Sequence, residues 1–288
     1  DRSDKEEIEQ EIGRMVHASE HGDEGVLQSF QDAFQPVLDG MLATLERLGI
    51  SFDTFTKESM FVTNGDVGKL MEHFKTLEIH GVADNGAEFL GLGARGLKGK
   101  TEFFFRRGDG SSLYATRDIA YHMWKWKQCN QLINVLGEDH KLQAKQVGMT
   151  LTELGEKVPD VLFYSFIKLP EGKMSTRKGN VVYMDDLLEE AQAQAAAVVR
   201  ELHPDYSEAM ISSISEAAGT SAVRFNIIKV SPDKGFTFRW EEALAFEGGS
   251  APFIMYSHAR ACSIARKCEK EGIDVQASLS RTDAVPPA

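Results

Sequence analysis

Between Glu102 and Leu169 the chain changes its hydrophobic period repeatedly, and this alternation restricts the available folds more than any other feature. Glu102 to Arg107 has the pattern of a strand, Gly108-Asp109-Gly110 reads as a turn, and Arg117 to Lys127 has a helical period. The apolar run Leu132 to Leu136 predicts another strand, Lys141 to Leu154 a helix, and Val161 to Leu169 a further strand. Strands separated by helices can pair in parallel because the helix supplies the crossover. The stretch is therefore expected to form part of a parallel α/β sheet.

The flanks read differently. Asp4 to His21 places Ile8, Ile12, Met15 and Val16 at helical spacing, with Gly22 after it. Glu24 to Leu48 keeps the same period through Leu27, Phe30, Phe34, Leu38, Met41 and Leu45, and predicts a core helix kinked or divided at Pro36. Ile50 to Phe52 is expected to be extended, Val67 to Leu77 helical, and Gly81 to Leu90 a hairpin about Asn85-Gly86. Toward the C-terminus, Asp185 to Leu202, Ile211 to Ile228 and Ala251 to Cys268 are helical, and Val275 to Ala288 reads as an untethered tail.

With 42% apolar and 26% charged residues in 288, the chain has an ordinary globular composition. No apolar run approaches the roughly 18 residues of a membrane helix, which excludes a helical membrane span. The formal net charge of -12 argues against a polyanionic partner if it is spread evenly. It is not spread evenly: residues 1–100 carry 19 acids and 10 bases, 101–180 carry 9 and 12, and 181–288 carry 16 and 10. The middle is basic, and the motifs fall there. Cys129, Cys262 and Cys268 make no C-x-x-C pair and are odd in number, which favours a reducing, cytoplasmic location. The N-terminus has no signal-peptide pattern, and Asp1 reads as a cut end.

Two attractive motifs fail on context. Gly91 to Gly96 satisfies G-x-G-x-x-G, but a strand rather than a helix N-terminus follows, so it reads as a loop. His17-Ala18-Ser19-Glu20-His21 satisfies H-x-x-E-H, but it ends a highly charged helix and has no third ligand, so no metal site is assigned. The segment Lys173 to Asn180 is different in kind, placing three cations within six positions between a strand and a helix. Such a loop suits a polyphosphate, because Lys and Arg clamps stabilise charge on departing pyrophosphate; composition alone leaves open an exposed basic turn. Tyr114 and Asp118, four apart at a helix start, can present a phenol and a carboxylate on one face, a pair suited to a guanidinium. Asp118 could instead charge or cap that helix. Gly137, Glu138, Asp139 and His140 follow a predicted strand directly, where open α/β sheets bind ligands, or they cap the next helix.

Four blocks together resemble one family. GDGSSLYATRDIAYH (108–122), INVLGEDHKLQAKQ (133–146), KMSTRKGNVV (173–182) and FRWEEALAFEGGSAPFIMYSHARACSIARK (238–267) are similar, in order, to segments of the class I arginyl-tRNA synthetases. The resemblance implies a partial Rossmann-like parallel sheet with an N-terminal α/β insertion and a C-terminal helical region. Residues 1–100 would be the connecting insertion and 101–184 the second half of the nucleotide-binding domain. Residues 185–245 would be a helical junction and 246–288 the start of a helical anticodon-binding domain, with Tyr256, His258, Ala259 and Arg260 in its opening helices.

The site roles implied are these. Lys173, Ser175, Arg177 and Lys178 would be catalytic, and Met174 would join Lys173 and Lys178 in binding ATP. Thr176 stands where the K-M-S-K-S-type loop usually has its second lysine, leaving Arg177 or Lys178 to supply that charge. Tyr114, Asp118 and His140 would bind L-arginine, and Gly137, Asp139 and His140 the nucleotide. ATP and magnesium are implied, with tRNA(Arg) as partner, no protein metal site, no membrane, and a monomer when full length. The family's H-I-G-H tetrapeptide is not found, and Ile79-His80-Gly81 is no substitute because a hairpin follows. The chain is accordingly expected to be an internal fragment with little activity alone. The alternatives are a non-catalytic tRNA-binding paralogue and another class I synthetase.

Overall fold

The computed structural model describes residues 2–20, 22–168, 183–243, 245, 249–275 and 277, in two compact units divided between Phe166 and Ile167. No helix among the described residues is long and apolar enough to cross a membrane.

The first unit begins with α1 (Arg2–Glu20) and α2 (Glu24–Arg47), then α3 (Ser59–Thr63) and α4 (Asp66–Lys75). Strands β1 (His80–Val82), β2 (Glu88–Gly91) and β3 (Glu102–Arg106) form an antiparallel sheet in that order. The β1–β2 turn follows from local chemistry. Asn85 Oδ1 accepts from the Ala87 N–H at 3.1 Å, and Gly86 takes a φ of 78°, which a side chain would strain. Beyond the sheet come α5 (Tyr114–Trp126), β4 (Ile133–Gly137), α6 (Lys141–Glu153) and β5 (Asp160–Tyr164).

The core of this unit follows from spacing. Val67, Leu70 and Phe74 share one face of α4 and are buried with Leu90, Phe103 and Phe105 of the antiparallel sheet, Ile119 of α5 and Leu151 of α6. The Phe74 ring lies 5.0 Å from that of Phe105, and Phe61 packs against Tyr121 and Trp124. Thr116, fully buried at the start of α5, donates its hydroxyl to the Phe105 carbonyl at 2.6 Å. That bond pins the N-terminal end of α5 to β3, so Tyr114 and Asp118 rest on a rigid support.

Two expectations are corrected. β3 pairs antiparallel with β2 and has no place in a parallel sheet; the parallel pair of this unit, among the described residues, is β4 with β5. The 92–101 connection contains one short 3-10 turn and no crossover helix, so the returning strand runs antiparallel. α2 runs unbroken through Pro36 and buries no residue, so it is not a core helix. Its apolar side, with Leu27, Phe30, Phe34 and Leu38, faces an open cleft of about 470 Å3 shared with α1 and residues 55–63. Ile50 to Phe52, expected to be extended, lies outside the helices and strands.

In the second unit β6 (Ile167–Lys168) pairs in parallel with β7 (Phe236–Thr237). α7 (Met184–Leu202) and α8 (Glu208–Ile228) pack closely through Ala191 and Ala195 on one helix and Gly219, Ala222 and Val223 on the other. Ser207 caps α8, its Oγ accepting from the Met210 N–H at 3.3 Å. A short α9 (Trp240–Ala243) precedes α10 (Ala251–Lys270), which Ser250 caps and which exposes Phe253, Ile254, Tyr256 and Ile264.

Candidate functional site

β4 and β5 pair in parallel from Ile133 opposite Asp160 to Gly137 opposite Tyr164, with α6 as their crossover. The chain leaves the sheet at Gly137 and makes a 3-10 turn from Glu138 to His140 into α6. A Cβ at Gly137 would stand 2.7 Å from Asp139 Oδ1, so the exposed Asp139 side chain would have to swing aside to admit one. Ser165 donates to Glu138 Oε2 at 3.0 Å and ties the turn to the end of β5, while Asp139 and His140 remain exposed. His140 begins α6 without a capping bond from its side chain, so the polar groups of this turn do not serve as an N-cap.

The helix beside this strand end supplies the other candidates. Leu113 occupies the N-cap of α5, which places Asp118 in the second turn and removes its reading as a cap. Tyr114 donates its hydroxyl to Gln143 Oε1 at 3.0 Å, and His140 Nδ1 lies 3.1 Å from the same oxygen. Gln143 therefore joins the tyrosine of α5 to the histidine of the strand-end turn. Asp118, His140 and Gln143 line one cavity of about 240 Å3, together with Glu58, His122, Lys125 and Asn134. Two carboxylates, Asp118 and Glu58, face this small space together with the Lys125 ammonium, and Glu58 is also paired with Arg117. Arg117 lies 3.6 Å from Glu20 and 3.6 Å from Glu58, so its charge is engaged by carboxylates. Burial lowers the pKa of Lys125, an effect opposed by the Asp118 carboxylate and Cys129.

Of the residues singled out in the sequence, Tyr114, Asp118, Gly137, Asp139 and His140 fall around this strand end. Lys173, Met174, Ser175, Arg177 and Lys178 lie outside the described residues. Sequence reasoning missed Glu58 and Gln143. Gln143 stands three positions after His140 at the start of α6, a spacing that could have marked it as a neighbour. Glu58 carries no comparable signal. The demoted motifs are also accounted for. Leu92 of the G-x-G-x-x-G segment is buried in a 3-10 turn that leads to β3. Glu20 of the H-x-x-E-H segment accepts from the Ser112 N–H at 3.0 Å and its hydroxyl at 2.9 Å; His21 lies outside the described residues. No group of three potential metal ligands occurs among the described residues.

Against known proteins, the family model for the catalytic domain of class I tRNA synthetases (R) matches residues 1–240. The arginine–tRNA ligase of Methanocella arvoryzae is 44% identical over 269 residues, covering 93% of this chain and 47% of that relative. That of Methanocaldococcus jannaschii is 44% identical over 255 residues, covering 88% and 43%. Among solved structures, the arginyl-tRNA synthetase of Thermus thermophilus superposes with a TM-score of 0.73 at 25% identity, over 91% of this chain and 49% of its own. The Plasmodium falciparum arginyl-tRNA synthetase, at 17% identity and a TM-score of 0.70 over 91% and 45%, shares the fold. The chain spans about half the length of the curated relatives it matches.

Proposed function

We propose, since the chain belongs to the class I arginyl-tRNA synthetase catalytic-domain family, that the full-length protein activates arginine with ATP and attaches it to tRNA(Arg). In the first step the arginine carboxylate attacks the α-phosphorus of ATP, giving arginyl-adenylate and pyrophosphate. In the second, a hydroxyl of the terminal adenosine of the tRNA attacks the arginyl carbonyl and releases AMP. One observation supports this reading above the rest: Asp118, Glu58, His140 and Gln143 share a small cavity that runs along β4 from Asn134 and reaches the turn at the strand's carboxyl end.

Each residue has a role on this reading. Asp118 accepts the guanidinium, whose flat fork suits a carboxylate, and Glu58, paired with Arg117, borders the same cavity. Tyr114 holds Gln143 in place and contacts the same group. Gly137 lets the nucleotide approach the backbone, while Asp139 and His140 flank adenosine and amino acid. Lys173, Met174, Ser175, Arg177 and Lys178 handle the phosphates, with Arg177 or Lys178 supplying the charge that Thr176 does not. Magnesium arrives with ATP, held mainly by phosphate oxygens and water, so no separate protein cage is needed. The full-length protein acts as a cytoplasmic monomer.

Asp118→Asn in the full-length protein tests the assignment. It keeps the shape but removes the charge, and should lower kcat/KM for arginine by about 100-fold while the KM for ATP stays near wild type. Unchanged use of arginine by the variant would remove Asp118 from the site.

A further inference from the structure

We propose that His122 is a positioning residue that fixes the Asp118 carboxylate for its ligand, with Asn134 and Lys125 fixing His122 in turn. The inference rests on the reading of Asp118 as the arginine-binding carboxylate. Helix α5 provides the alignment, because positions 118, 122 and 125 fall along one face. His122 is only 3% exposed. Its Nδ1 lies 2.7 Å from the Asp118 carbonyl oxygen and 3.2 Å from Asp118 Oδ1. Its Nε2 lies 2.6 Å from Asn134 Nδ2 and 3.4 Å from Lys125 Nζ.

The partners determine which nitrogen carries the proton. Lys125 Nζ donates to Asn134 Oδ1 at 3.1 Å, which fixes the amide with its NH2 toward His122. An amide NH2 and an ammonium can only donate, so Nε2 must accept. The proton then sits on Nδ1, which donates to the Asp118 carbonyl oxygen and has Asp118 Oδ1 close by at 3.2 Å. Lys125 is itself held in place, 4.3 Å above the Tyr121 ring. The chain of contacts thus runs from β4, through Asn134 and His122, to the carbonyl oxygen of Asp118, with its carboxylate Oδ1 beside the same nitrogen.

This arrangement matters because a guanidinium forms two parallel bonds to a carboxylate only when the carboxylate plane is fixed. With Nδ1 bonded to the backbone carbonyl of Asp118 and standing 3.2 Å from its Oδ1, the imidazole restricts rotation of the carboxylate. A merely structural histidine, by contrast, would contribute to folding without favouring arginine over ATP.

The test uses two replacements in the full-length protein. His122→Asn keeps a donor near the Nδ1 position, whereas His122→Gln keeps a group near Nε2 and withdraws the donor from Asp118. Arginine binding is measured by calorimetry, and arginine KM, ATP KM and kcat in tRNA charging. We expect His122→Gln to weaken arginine binding and raise arginine KM by about tenfold, with ATP KM and kcat within about twofold of wild type. His122→Asn should recover most of the loss. Equal arginine binding by the two variants, or equal losses toward arginine and ATP, overturns the inference. Asp118→Asn is measured in parallel. If it weakens arginine binding and His122→Gln does not, the positioning role fails alone; if Asp118→Asn has no effect, the underlying site assignment fails and the inference falls with it. Should neither imidazole replacement fold, Asn134→Ala carries the same test: an arginine-specific loss supports the role, and unchanged arginine binding overturns it.

Discussion

Among single residues, Glu88 shows how a buried charge is tolerated in this fold. It is 8% exposed on β2, ion-paired to Arg106 of β3, with His80 Nε2 at 2.9 Å and Lys75 at 4.0 Å. Burial pushes its carboxyl pKa up, but hydrogen bonds from Arg106 and His80, with the charge of Lys75, outweigh that and leave it below the ordinary value. Because the folded pKa lies below the unfolded one, the stabilisation is fully present above about pH 4.3 and is lost as pH falls through the folded pKa. Glu88→Gln should therefore cost about 2 kcal/mol at pH 7. In urea titrations the gap between wild type and variant should close as pH falls below about 4; a gap independent of pH would show that the charge does not stabilise the sheet. The same scale shows what the sequence could reveal of the site. Tyr114 and Asp118 were legible because helical spacing is a local property. Glu58 was not, since its approach to Asp118 depends on how α3 and α5 pack, which no neighbouring residue records.

At the scale of elements, local chemistry was legible and partnership was not. Asn85-Gly86 specified its hairpin because the turn uses only adjacent groups. β3 was recognisable as a strand, but its place in the antiparallel sheet depended on the connection before it rather than on its own pattern. α2 carried an apolar stripe that predicted burial, yet a stripe indicates a face and not what covers it. The α7–α8 pair gives a sharper case. A Cβ on Gly219 would stand 2.7 Å from the carbonyl carbon of Ala191, which is backbone and cannot rotate away. Gly219→Ala should force the helices apart and destabilise this unit by about 1–3 kcal/mol. Gly40, inside α2, has open space at the same position, so Gly40→Ala should stabilise by about 0.5–1 kcal/mol. Chemical denaturation of the two variants checks both signs; a neutral Gly219→Ala would mean the helices can separate at little cost.

For the whole molecule, the exposed surface is informative. A parallel sheet is ordinarily covered on both faces, yet Ile133 and Val135 of β4 and Leu162 and Tyr164 of β5 are exposed, Val135 at 60%. The faces turned to α5 and α6 are the covered ones, and they carry the candidate site. The alternation of strand and helix disclosed the fold class but not which face of the sheet is covered. The net charge of -12 is likewise uneven, because the acids concentrate outside the stretch that holds the proposed phosphate groups and all the proposed arginine groups but Glu58. The most direct test of the proposed activity is charging by the full-length protein with ATP, a tRNA pool and labelled arginine, in competition with excess lysine, ornithine or cysteine. Arginine is predicted to be attached, ATP-dependently, with none of the three competitors reducing it; attachment of another amino acid in preference, or of none, would contradict the account.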